Sequence, residues 1–462
     1  MASQSVLNGV NGLSSAPVLP VTPLPSSFRI QPQDERLKRC SAASSAAPGT
    51  ARSPSAAAAG AAPSTTIPPL SVLSNFAGTF HGTGFNTIFR PNNGTASNTT
   101  FPNPVSPPPP AVPNDNTLEL NLTQETLTFQ QPLGNVPNRG SGTQGDIFLN
   151  GVPYTQVIND VVNPATGKGD GTPSGIHFEP GLWMHVPATT TDPVVPESLN
   201  RMGSIPHGTT INAQCLDPTS SVGTVPGPPI IAAVDITPTV IATGKKFRFP
   251  SQTAASTDTA RLPQDLTAFI AAGTITQTIL DDPATVLREA IVGQNITQTI
   301  FFTVSTTPVT PELGGGVANT GFLIGAPAGS AGATGTDTAT GPNAQATLMC
   351  ATFWIETVQY EITVPAWKPG HPALLIPGPV PAGNTSGVPT PTFLVQPPHE
   401  ITVPTTISVT ATQIQYSQLV NLVFAGLIWP HASLATLVPQ SPVPVPASAF
   451  KHSTTVAANG SS

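Results

Sequence analysis

His431 stands in an apolar run from Leu419 to Leu437 that is rich in Leu, Val, Ile, Ala, Phe and Trp. A neutral imidazole held on such a strand can ligate a metal ion or a haem iron through a ring nitrogen. A second candidate is the pair His177 and Glu179, two positions apart and so on one face of any strand that carries them. The histidine could exchange a proton there, and the carboxylate could pair with it or act as a general base if buried. Trp183 and His185 continue the same face, while Glu356 is the other isolated carboxylate in a strand-like segment. His207, beside Gly208, reads as a turn histidine, and His81 falls on the face opposite Phe80. Asp281 and Asp282 precede a short helical pattern and are read as its cap. No G-x-S-x-G elbow, His-Glu-x-x-His pair, phosphate-binding Gly-x4-Gly-Lys loop or dinucleotide fingerprint occurs in the chain.

The elements that must position these groups are β-strands. Of 462 residues 38% are apolar and only 8% charged, against roughly 25% charged in ordinary domains. Fifty-six prolines and 40 glycines leave little room for long helices. Sixteen basic against 23 acidic residues, with no Lys/Arg cluster, exclude a nucleic-acid partner. Cys40, Cys215 and Cys350 are scattered singly, which indicates neither a disulfide framework nor a zinc site. The chain has no run of roughly 18 apolar residues that would make a transmembrane segment, so a soluble protein is expected.

Residues 1–68, rich in Ala, Ser, Pro and Thr, are expected to be a disordered segment, and 441–462 a disordered tail. Between them, 69–440 read as one β domain. Strands are expected at Phe76 to Ile88, Thr117 to Thr123, Thr126 to Phe129, Thr155 to Val161, Gly181 to Val186, Ser198 to Ser204, Thr209 to Cys215, Gln298 to Ser305, Ala346 to Tyr360, Thr412 to Phe424 and Ala432 to Val438. One short helix is expected at Pro283 to Val292. Pro/Gly/Thr tracts at Pro102 to Asn114, Pro218 to Pro229, Gly325 to Asn343 and Pro365 to Pro398 read as insertions. This is the pattern of an all-β, antiparallel barrel.

Three motifs in order carry a resemblance. Phe76-Ala-Gly-Thr-Phe-His-Gly-Thr-Gly-Phe85 resembles the G-x-W-x-G-x-G opening strand of calycin barrels, with Phe80 in the place of the tryptophan. Gly175-Ile-His-Phe-Glu-Pro-Gly-Leu-Trp183, followed by Pro206-His-Gly208, is similar to a strand and turn of the nitrobindin-like haem proteins. Ile414-Gln-Tyr416 and then Trp429-Pro-His431 resemble that group's last two strands. The resemblance implies an up-and-down, lipocalin-like barrel with haem b bound, His431 as proximal ligand and His177 toward the other side of the cofactor. It also implies a lining that includes Phe80, Phe85, Trp183 and Phe424.

Two functions are therefore expected. One is a haem protein that binds small gases or acts on reactive nitrogen or oxygen species. The other is a haem-free barrel that binds or converts a lipophilic small molecule, in the manner of an isomerase or cyclase, with His177 or Glu179 carrying the chemistry. Low surface charge favours a homo-oligomer. A cytoplasmic location is expected; the basic, Ser/Ala-rich start would suit an organelle transit peptide but lacks an Arg-bearing amphipathic helix.

Overall fold

The structure, a computed structural model, describes residues 67–91, 116–189, 194, 196–206, 208–215, 222–307, 314–319, 344–384, 387–452 and 454–455. Ten strands follow one another as nearest neighbours: β1 (Gly78–Arg90), β2 (Thr117–Phe129), β3 (Ile147–Asp160), β4 (Ser174–Val186), β5 (Ser198–Ser204), β6 (Thr209–Cys215), β7 (Asn295–Ser305), β8 (Gln345–Val364), β9 (Thr405–Phe424) and β10 (Leu427–Pro439). All the pairings are antiparallel, and β10 returns to β1 from Phe80↔Pro439 to Thr87↔Ala432. The sheet thus closes into an up-and-down barrel without free barrel edges. The closing seam is tight, because a Cβ at Gly82 would lie 2.0 Å from the Thr436 carbonyl oxygen and one at Gly84 2.2 Å from that of Leu434. Only glycine allows that approach.

All four expected insertions fall between consecutive strands, and one of them, Pro218 to Pro229, is in part a strand of the sheet. The strand Val222–Pro226 pairs with β7 from Gln298 to Phe302, taking over where β6 stops, since β6 and β7 share only Val304↔Cys215 and Ser305↔Gln214. The expected helix is present as α3 (Thr285–Ala290), preceded by two more short ones, α1 (Thr267–Ala272) and α2 (Gln277–Asp281). The expected cap is not formed: Ala284 holds the N-cap position of α3 with no side-chain cap, while Asp282 Oδ1 accepts from the backbone amides of Ala284 and Val234 and Asp281 pairs with Arg248. Arg261, fully buried, donates to carbonyls of Ser251, Thr253, Ala254 and Gln264 and ties this insertion to itself.

Three expectations about boundaries change. Gln124-Glu125 does not separate two strands: β2 runs through it, because the buried face switches partway along from Leu118 and Leu120 to Thr123, Glu125, Leu127 and Phe129. The tract Pro365 to Pro398 is not bare loop, since Leu374–Pro377 and Thr392–Val395 pair and pack with the extended ends of β8 and β9. Ordered structure also runs past 440, through Val443–Pro444 and Ala447–His452, with Phe450 buried in the same cluster. The motif histidine His207 and the cysteine Cys40 lie outside the described residues.

The barrel interior has an apolar end. Phe76, which follows the 3-10 turn Ser71–Asn75, stacks on Phe129 at 4.3 Å and also meets Trp183, Phe302 and Phe353. Each such aromatic contributes about 1.5–3 kcal/mol of burial. A second cluster lies on the opposite face of the sheet, where Phe85, Phe89, Leu118 and Leu120 pack on Phe249, Leu266, Phe269 and Ile279 of the insertion.

Candidate functional site

Beyond the aromatic end, the strands turn polar side chains inward. On β4, alternation sends His177, Glu179, Gly181 and Trp183 to one face. Glu179 is 0% exposed and Arg201, on the neighbouring β5, 2%. Arg201 Nη2 donates to Glu179 Oε1 at 2.9 Å, Nε to Tyr154 Oη at 3.0 Å, and Nη1 across the lumen to Gln418 Oε1 at 2.6 Å. Its guanidinium also lies 5.5 to 5.7 Å from the ring centroids of Tyr154, Trp183 and Phe353, which suits a desolvated cation. Tyr154 Oη donates to Glu179 Oε1, and His177 Nε2 lies 3.2 Å from Glu179 Oε2. Gly203 makes the space: a Cβ there would sit 2.3 Å from Glu179 Oε1. Burial alone would raise the Glu179 pKa, but Arg201, His177 and Tyr154 outweigh it and hold it at about 2. The carboxylate is a fixed anion.

Glu125, on β2, is 1% exposed and has the opposite character. Its partners are neutral: Tyr416 Oη donates to Oε2 at 2.6 Å, Thr123 Oγ1 to Oε1 at 3.0 Å, and Gln156 Nε2 to Oε2 at 3.4 Å. Gln156 Nε2 also donates to Tyr416 Oη at 3.0 Å. Desolvation therefore prevails and raises Glu125 to about 7, against the lowering by those hydrogen bonds and by the nearby His177. One barrel thus holds a carboxyl that titrates at neutrality and a permanently ionised one, the arrangement by which enzymes and binding sites divide acid and anion roles. His177, 13% exposed, acts electrostatically on both carboxyls.

The structure brings together some of the residues singled out from sequence and separates others. His177 and Glu179 are in contact, and Phe80 and Trp183 share the interior aromatic cluster. Phe85 lies five positions from Phe80, hence on the other face, and packs with the insertion instead of the lumen. Phe424 stacks on Trp429 at 4.9 Å, and both rings pack with the cluster that holds Phe249 of the insertion. Glu125, Tyr154, Arg201, Gln156 and Gln418 were not singled out. The alternation of Thr123, Glu125, Leu127 and Phe129 with β2 read as one strand is the signal that would have found Glu125.

His431 is half-buried near the start of β10, with Nε2 3.0 Å from Asn86 Nδ2. Asn121 Nδ2 donates to Asn86 Oδ1 at 3.3 Å, which turns the Asn86 amide nitrogen toward the imidazole as a donor. That contact engages Nε2, and Phe85 packs against the insertion and away from the lumen. Of the expected haem contacts, Phe80 and Trp183 lie in the interior cluster and Phe85 does not. Among the described residues no three His, Cys, Asp or Glu side chains come together as a metal site, and no helix is long and apolar enough to cross a membrane.

No family model, no curated protein and no solved structure matches the chain. The calycin-like resemblance rests on the ten-stranded closed barrel alone.

Proposed function

We propose that the barrel binds a small, largely apolar molecule and handles a proton on that molecule's polar group. The observation that carries this reading is the pair Glu125 and Glu179, both out of contact with solvent yet held at about 7 and about 2. Such a pair is costly to bury, and apolar side chains of similar volume would often stabilise a lumen at least as well. A functional use explains its presence. In this reading Glu125 is the proton donor or acceptor, the Glu179–Arg201 pair fixes the field, and half-buried His177 connects the polar layer to the barrel end where β4 starts. That end is also where β1 and β9 finish and β10 starts, so His431 and Asn86 stand beside the same opening.

The test is to extract the purified protein with organic solvent, identify bound molecules by mass spectrometry, and titrate the apo protein with hemin alongside. A recurrent apolar ligand that is bound by the wild type but at least about tenfold more weakly by Glu125→Gln supports the proposal. A stoichiometric Soret band lost in His431→Ala, with no organic ligand, would contradict it and favour the haem protein.

A further inference from the structure

We infer that the outer wall of the barrel carries a second, separate binding site, for an uncharged molecule of mostly apolar, ring-containing character. One described cavity lies outside the lumen. It has a volume of about 500 Å³ and lies between outward-facing side chains of β7, β8 and β9 and the segment Pro229 to Val234. Alternation along β8 and β9 decides which groups reach it. Phe353 and Tyr416 point into the lumen, so their neighbours Thr352, Trp354 and Ser417 point out and form the floor.

Three features identify the ligand class. The volume suits a small molecule, within the usual range of roughly 300–1,000 Å³. The lining holds no Asp, Glu, Lys, Arg or His, so a charged solute would lose its hydration with nothing to replace it. Trp354 and Phe301 supply flat apolar walls suited to a ring. Besides the Cys350 thiol the polar groups are hydroxyls, and two are already committed: Thr299 Oγ1 donates to the Gly227 carbonyl at 2.8 Å, and Thr352 Oγ1 shares a bond with Thr303 Oγ1 at 2.8 Å. Ser417 has no hydrogen-bond partner for its hydroxyl among the described residues, and it is the group left for a ligand's single polar atom. At the lip, Ile230 is 95% exposed, a large apolar side chain kept in water beside an apolar cavity. Ligand binding would cover it.

N-phenyl-1-naphthylamine, uncharged and fluorescent in apolar surroundings, is the probe. The full chain should show saturable binding with quenching of tryptophan emission. Ala232→Trp, which fills the cavity from an exposed position on its lining, should weaken binding at least about tenfold. Glu125→Gln, in the lumen, should leave it unchanged, which separates this site from the one under Proposed function. Non-saturable binding, full binding by Ala232→Trp, or loss in Glu125→Gln instead would each overturn the inference. A second measurement needs no variant: peptide mapping of N-ethylmaleimide labelling should show Cys350, on the cavity wall, reacting more slowly when probe is bound. An unchanged rate, or a Cys350 already shielded in a dimer seen by sedimentation, would contradict a small-molecule site.

Discussion

Tyr416 of β9 donates its phenolic hydrogen to Glu125 Oε2 of β2 over 2.6 Å, with β10 and β1 lying between the two strands. The bond passes through the lumen, so it couples the far edges of a four-strand arc and supplies a buried carboxyl with its best donor. Tyr416→Phe leaves that oxygen short of a partner and should destabilise the fold by about 1–3 kcal/mol in denaturant unfolding. The same change should raise the Glu125 pKa further, since the bond lowers it.

The pH dependence of stability above the ordinary carboxyl range follows mainly from Glu125 and Glu356, the two carboxyls raised furthest. Glu125 stays protonated in the fold up to about 7 and Glu356 up to about 8, whereas both ionise in the unfolded chain near the ordinary 4.5. The folded state therefore binds more protons than the unfolded state across this window, and stability falls as pH rises from about 4.5. The Glu125 contribution ends near 7, and between 7 and 8 the slope belongs to Glu356. Glu356→Gln should remove that last slope and raise stability at pH 8 by a few kcal/mol at most, on the order of magnitude set by linkage, while Glu125→Gln should leave it in place. Glu356 Oε2 already accepts from Gln413 Nε2 at 2.5 Å, and glutamine keeps the shape.

Arg201 and Glu179 should behave as a unit. Arg201→Met leaves an uncompensated buried anion and should cost about 3–5 kcal/mol, with Arg201→Lys a poor rescue because three acceptors are met by one fork. Replacing both partners with apolar side chains, Arg201→Met together with Glu179→Leu, should recover much of the loss in a double-mutant cycle. The wild type should also lose stability as pH drops from about 4.5 toward 2, where Glu179 finally protonates.

Gly203 is the spatial counterpart of that pair. Gly203→Ala places a methyl group 2.3 Å from Glu179 Oε1 and 3.0 Å from Tyr154 Oη, and should destabilise by about 1–3 kcal/mol. Gly208→Ala, whose nearest neighbour would be Ile205 Cγ2 at 3.9 Å, should change stability by less than about 0.5 kcal/mol. Thermal or chemical unfolding of the two variants makes the comparison.

Much of the barrel was legible in the sequence because alternation and Pro/Gly punctuation are local signals. Ser198–Ser204 and Thr209–Cys215 were read to the residue, and every expected insertion fell between neighbouring strands. The site was legible in part. His177 and Glu179 meet because a spacing of two suffices, but Arg201 and Gln418 meet through closure of the barrel, and no local pattern encodes that. Phe85 shows the converse: its odd spacing from Phe80 already placed the two on opposite faces. Glu125 escapes notice because a change of buried face within one strand looks like a break between two.

The central claim, a carboxyl that titrates near neutrality beside a fixed carboxylate in one lumen, is tested most directly by 13C NMR titration of protein labelled at glutamate side-chain carboxyls. Glu125→Gln and Glu179→Gln assign the two signals. The account predicts one resonance that titrates near 7 and vanishes in Glu125→Gln, and another that stays ionised down to about pH 2 and vanishes in Glu179→Gln. If both resonances titrate together in the ordinary range near 4.5, the account is contradicted.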